Sequence, residues 1–133
     1  MYFIYLGLKS QSGTAPGLVD SKLTPCSSKP NCICTEYPNQ KPHYTNAISY
    51  DEFNINKITE AIQSTGGIIS IHEDNYIAAT YTSTLFRYVD DFELRFDTDN
   101  KVIHIRSASR VGHSDMGINL KRIEKFKTDL ESL

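Results

Sequence analysis

Three things are scarce or missing in this sequence of 133 residues: long apolar runs, an excess of charge of one sign, and any nucleotide-, metal- or nucleophile-binding signature. Each absence removes a class of function. The most apolar run, Met1 to Leu8 (MYFIYLGL), falls far short of the roughly 20 residues that cross a bilayer, and it lacks the basic flank and small-residue cleavage site of a secretory signal. A formal net charge of -2 gives no general attraction to a polyanion, so nucleic acid is not an expected partner. There is no Gly-rich phosphate loop, zinc-protease or EF-hand pattern or nucleophile elbow, so no cofactor and no metal are expected. Internal repeats and low-complexity tracts are also absent. What remains is a chain of 39% apolar residues, long enough to bury one core of its own without a metal or a disulfide.

The first sixteen residues read as an apolar N-terminal arm ahead of a single domain over residues 17–133. Met1 to Leu8 is either a strand or packed arm of that domain or an exposed anchor for a partner or membrane surface. Because free termini fray, an ordered apolar terminus implies packing against something. From Lys9 to Asn46 the composition turns to Ser, Pro, Gly, Asn and Thr without periodicity, the mark of an extended, wrapping segment. It carries all three cysteines. The five residues between Cys26 and Cys32 include a Pro-Asn step, enough to fold back until the two Cα atoms lie within about 7 Å, the reach of a disulfide. Three reduced thiols in a reducing compartment are the competing reading. A set made of Cys26, Cys32, Cys34 and His43 lacks the paired C-x2-C hairpins of zinc modules. Cys34 is left unpaired, with no basic or helix-N-terminal neighbour to activate it.

Apolar spacing predicts a helix over Asn54 to Gly67, carried by Ile55, Ile58, Ala61 and Ile62, with Asn54 as N-cap and Gly66 as stop. The period then drops to two. Ile68–Glu73 and Tyr76–Ser83 form a hairpin about Asp74-Asn75, with His72 on the surface near its tip. A second hairpin turns at Asp99-Asn100, pairing Phe96 with Ile103 and Leu94 with Ile105 on a core face. On the other face Glu93 meets Arg106, expected in solvent. The last helix runs from about Asn119 to Leu130, capped by Asn119 or Asp115. It turns Leu120, Ile123, Phe126, Leu130 and Leu133 inward and Lys121, Arg122, Lys125 and Lys127 mostly outward. The fold expected is therefore α+β: an antiparallel sheet of about four strands in meander order, two helices packed on one face, and an extended N-terminal arm.

Polar side chains concentrate between Asp90 and Arg122: Asp90, Asp91, Arg106, Ser107, Ser109, Arg110, Ser114, Asp115, Asn119 and Arg122. The same pairing sets Phe92 against Ser107 and Asp90 against Ser109, so Ser107, Ser109 and Arg110 are available as donors to Asp90 in a network closing one end of the core. Alternatively the loop Ser107 to Asn119, with Arg106 and Arg110, holds a small anion. As an enzyme this would be a hydrolase or transferase on an anionic substrate, with Asp90, Asp91 or Asp115 as general base and Arg106 and Arg110 on the anion. Alternation puts the two arginines on one side of the strand and the two serines on the other. Arg110 is expected to engage an internal Asp, and Arg106 to pair with Glu93 on the surface.

Three stretches, Pro25-Cys26-Ser27-Ser28-Lys29-Pro30-Asn31-Cys32, Val89-Asp90-Asp91-Phe92-Glu93 and Arg106 through Arg122 (RSASRVGHSDMGINLKR), resemble the DUF1499 family in the same order. This sequence departs from the family's usual pattern at Cys34, where a Ser is usual, and at His113, where an aromatic is common. Members occur in bacteria and plastids, often behind an N-terminal membrane segment, so the resemblance implies a membrane-side location on either face; it implies no reaction. Three functions follow as expectations. One is a non-catalytic accessory or binding module, a peripheral subunit of a membrane protein complex seated through MYFIYLGL. The others are the anion-directed enzyme above and a purely structural protein.

Overall fold

The computed structural model describes residues 1–132; Leu133, placed on the inner helix face by its spacing, lies outside the described residues. Its elements are α1 (Tyr2–Gln11), β1 (Leu18–Val19), β2 (Lys22–Leu23), β3 (Cys32–Cys34), β4 (Ile48–Ser49), α2 (Ile55–Ser64), β5 (Ile68–His72), β6 (Tyr76–Thr82), β7 (Val89–Asp97), β8 (Val102–Ser109) and α3 (Ile118–Ser132). β5 to β8 form the antiparallel meander expected from the alternation. The β7–β8 register is the one read from the sequence, with Phe96 opposite Ile103, Leu94 opposite Ile105, Phe92 opposite Ser107, Asp90 opposite Ser109 and Glu93 opposite Arg106.

The strand count is a correction: the main sheet has six strands, because β3 and β4 both pair with the outer edge of β8, while β1 and β2 make a separate ribbon. These added strands are two or three residues long and lie in or beside the Ser- and Pro-rich segment, where too few residues exist to show a period.

On one face of the sheet the alternating apolar residues pack under the two helices. Phe92, Leu94, Phe96, Ile103 and Ile105 meet Ile58, Ala61 and Ile62 of α2 and Ile123 and Phe126 of α3. Asn54 caps α2 as expected, its side chain accepting from the Lys57 amide at 3.2 Å, and Gly66 at φ +99° ends it.

The other face was expected in solvent and is not. Residues of the wrapping segment cover it, and Leu23, Cys26, Cys32 and Cys34 form a second core with Tyr76, Ala78 and Ala108. A sheet buried on both faces leaves no solvent side for its polar residues, so Asp91 and Glu93 are buried at 4% and 0% exposure.

The N-terminal run is a second correction. Its conformation is a helix rather than a strand or an extended arm, and of the two placements expected it takes the exposed one: Tyr2, Phe3, Ile4, Tyr5 and Leu8 are all exposed, and only Gly7 and Ser10 are buried. Gly7 permits the contact that seats α1. A Cβ there would lie 1.8 Å from the Phe86 carbonyl oxygen, an impossible approach for any other residue. Ser10 completes the seat, its hydroxyl donating to the Gly7 carbonyl and accepting from the Val89 amide.

Cys26 and Cys32 are joined by a disulfide with Cα atoms 5.7 Å apart, and Cys34 is unpaired and buried. Burial pushes the Cys34 thiol up to about 11, which suits a packing residue rather than a nucleophile. Replacing both bridged cysteines by serine is expected to lower unfolding stability by about 2 to 3 kcal/mol in the chain-entropy account. A urea titration of the two proteins checks it; equal midpoints would show that the wrapping segment holds its place without the bridge.

Candidate functional site

Nine of the ten polar residues singled out between Asp90 and Arg122 fall into two groups, because alternation along β7 and β8 sends their partners to opposite faces of the sheet. On the face under the wrapping segment, three arginines stand on β7, β8 and the residue after β8. Arg110 gives its Nε and Nη2 to the two oxygens of Asp91, both at 2.8 Å, and its Nη1 to the carbonyls of Ser10 and Gly13. Arg106 donates to the Thr24 carbonyl at 2.8 Å and to Glu93 at 3.3 Å, and Glu93 also accepts from Tyr76 and from the Gly17 amide. Arg95 grips Glu36 bidentately at 2.6 and 2.7 Å, while Glu36 accepts from the Leu23 amide.

Every one of these arginines therefore links the sheet to the N-terminal third of the chain. Burial pushes the Glu93 carboxyl up against the pull of Tyr76 and Arg106. At Glu36 burial also pushes up, but the hydrogen bonds from Arg95 and Leu23 outweigh it and the carboxyl is held below its usual range.

Two expectations are corrected here. The Glu93–Arg106 pair is present but buried, since the segment that covers it comes from a stretch with no periodic signal. Arg110 does engage an internal Asp, and the partner is its cross-strand diagonal neighbour Asp91; Asp90 lies on the opposite face, out of Arg110's reach as a donor.

On the helix face the partner of Asp90 is Arg122 of α3, at 2.8 Å. Burial pushes the Asp90 carboxyl above its usual range, opposed by Arg122 and by the Ser109 hydroxyl. Asn119, fully buried, is the hub of this group: its Oδ1 accepts from Ser107 and Arg122, and its Nδ2 donates to Asp115, Ser109 and the Asn31 carbonyl. Asn119 is thus inside the helix, and Asp115 is the cap, accepting from the amides of Gly117 and Asn119. Ser114 makes only a local bond, from the Met116 amide.

Residues 22–130 match the family described as Protein of unknown function (DUF1499). The chain belongs to the DUF1499 family. A search among curated proteins finds no match to it. The matched span runs from β2 almost to the end of α3, so in this family member α1 stands outside the matched residues. Within it, the Cys26–Cys32 loop, the Asp90-Asp91 step and the run from Arg106 to Arg122 together build the disulfide and both polar groups.

Several residues of these networks carry no sequence mark. Glu36, Tyr76 and Arg95 are brought in by the wrapping segment and by cross-strand pairing. Tyr81 is a core residue by alternation, yet its ring lies 4.5 Å from the Arg122 guanidinium. A groove of about 490 Å³ runs beside this pair, lined by Tyr81, Tyr88, Asp90, Ser109, Asp115 and Arg122 among others. Asp90 and Arg110 do not share it.

Proposed function

We propose that the protein is a non-catalytic binding module held at a membrane surface by α1, a peripheral part of a membrane-associated assembly. The observation that carries this reading is the exposure of α1. At 100° per residue Tyr2, Phe3, Ile4, Tyr5 and Leu8 point to nearly every side of the helix instead of forming one stripe, and all are more than half exposed. The face carrying Gly7 and Ser10 is seated on the domain, and the apolar side chains on the remaining sides form a surface wider than the single stripe a helix-binding groove takes. The surface continues onto the β6–β7 loop, where Leu85 is exposed and Phe86 stacks on Phe3 at 5.3 Å. α1 has no acidic residue in its first turn, and its one charge, Lys9, lies at the end nearer the domain.

Ten residues rise about 15 Å, half of a hydrocarbon core of about 30 Å. Among the described residues no helix is long and apolar enough to cross a membrane, so α1 is read as lying in the interface. Against the enzyme reading, the carboxylates offered as general bases are already engaged: Asp91 by Arg110, Asp90 by Arg122, and Asp115 by helix amides.

The test is flotation of the full chain with protein-free phosphatidylcholine vesicles. The wild type should rise with the lipid, and the Ile4→Glu, Leu8→Glu double variant, whose changes lie in solvent, should stay behind with an unchanged circular dichroism spectrum. A wild-type protein that ignores vesicles would sink the membrane reading; if it then co-purified with a protein assembly, α1 would be a protein-docking helix instead.

A further inference from the structure

Arg122 differs from the arginines on the opposite face in how it uses its guanidinium. Arg95 and Arg110 each close the Nε/Nη2 edge on a carboxylate, and Arg106 gives its Nε to a carbonyl. Both bonds of Arg122, to Asp90 and to Asn119, come from Nη1. Its Nε/Nη2 edge has no partner among the described residues, although the side chain is only 18% exposed. Nor is the group loose. Asp90 holds one end and the Tyr81 ring lies against its plane, so the open edge is set in place before anything binds.

Arg122 lines two grooves, of about 490 and 720 Å³, which also share Thr65, Tyr81 and Ile118. Both fall within the range of about 300 to 1,000 Å³ usual for small-molecule sites. The smaller one is bounded by the loop before α3, where Met116 and Ile118 hold apolar side chains in solvent at 86% and 48% exposure. Its wall also contains Tyr88, whose hydroxyl is buried without a hydrogen-bond partner.

We propose that Arg122 is the anchor of a binding site for a small anionic amphiphile. The carboxylate or phosphate head sits on the Nε/Nη2 edge, as Glu36 and Asp91 sit on Arg95 and Arg110, and the apolar tail lies along Val111, Met116 and Ile118. Formal charges around the two grooves balance, with Lys121, Arg122 and Lys125 against Asp90, Asp115 and Asp129. The site therefore recognises an anion by the planar fork and not by a long-range field. This proposal stands apart from membrane binding through α1, since neither surface shares a residue with the other.

The experiment is a titration of the isotope-labelled full chain followed by NMR, with octanoate, octyl phosphate, acetate and inorganic phosphate as probes. Octanoate or octyl phosphate should give saturable shifts at the Arg122 Nε–H and the amides of Gly112 and Ile118, and should bind at least about tenfold more tightly than the tailless anions. Arg122→Lys keeps a cation for Asp90 but loses the fork, and should weaken binding about tenfold or more while the rest of the spectrum is retained. Met116→Asn, on the exposed loop, adds no charge and should weaken the tailed probes while leaving acetate unchanged. Shifts that never saturate, saturable binding indifferent to Arg122→Lys, or equal affinity for tailed and tailless anions would each overturn the proposal. The head group is assigned by the same probes: a preference for octyl phosphate over octanoate assigns the phosphate, and the reverse assigns a carboxylate.

Discussion

Asp91→Ala is expected to lower the unfolding free energy by about 3 to 5 kcal/mol, because it removes one half of a buried ion pair and leaves the other half uncompensated. Asp91 is 4% exposed and takes both forks of Arg110, whose side chain is 13% exposed. Arg110 is left with only the carbonyls of Ser10 and Gly13 as partners, and the guanidinium that ties the end of β8 to residues 10–13 is drawn toward water. Urea denaturation reads the loss, and hydrogen exchange should show it spreading to the amides around Gly13. Combining Asp91→Leu with Arg110→Met is expected to restore much of the stability, since exchanging a whole buried pair for apolar volume is commonly near neutral. A midpoint for Asp91→Ala within experimental error of the wild type would show that the clamp holds nothing.

Phe92→Ala, one residue along the same strand, should cost about as much, roughly 3 to 5 kcal/mol, for an unrelated reason. Phe92 points to the helix face, is fully buried, and meets Tyr81 and Phe126 edge-on at 5.8 and 5.3 Å. Its removal leaves a cavity between sheet and α3 that neither ring can fill without shifting. Thermal or urea unfolding checks the size of the loss. No single second replacement should restore it, unlike the ion pair, and a cost below about 1 kcal/mol would mean that α3 collapses onto the sheet.

The meander order and the β7–β8 register were legible because they are local: the Asp99-Asn100 turn and a period of two decide which residues of β7 and β8 meet, whereas a bulge between Ile69 and Ile71 shifts the β5–β6 register. The covering of the second face was not, because Leu23, Cys26 and Glu36 come from a segment without periodicity, and an alternating polar row reads as solvent-facing unless something distant is known to lie on it. For the same reason the polar residues between Asp90 and Arg122 were recognised while their partnership was half missed. The spacing assigns Arg110 an internal Asp, as found, but sets Arg122 on an outer helix surface, since only the docking of α3 on the sheet brings it to Asp90. α1 defeated the periodic reading in another way. A run that is apolar on every side carries neither the strand's period nor the helix's, so its composition was visible and its conformation was not.

The clamp on the wrapping segment also orders events in time. Ser10 is held by a residue 100 positions later, Thr24 by one 82 positions later, and Asn31 by one 88 positions later. Residues 10–31 thus leave the ribosome before their partners and wait unpaired until β7, β8 and the start of α3 have been made. Contacts so distant in sequence close slowly. The disulfide, spanning six residues, is under no such delay. In an oxidising compartment it closes while the sheet is still being synthesised, so that a loop already shaped is what finally folds down over β8.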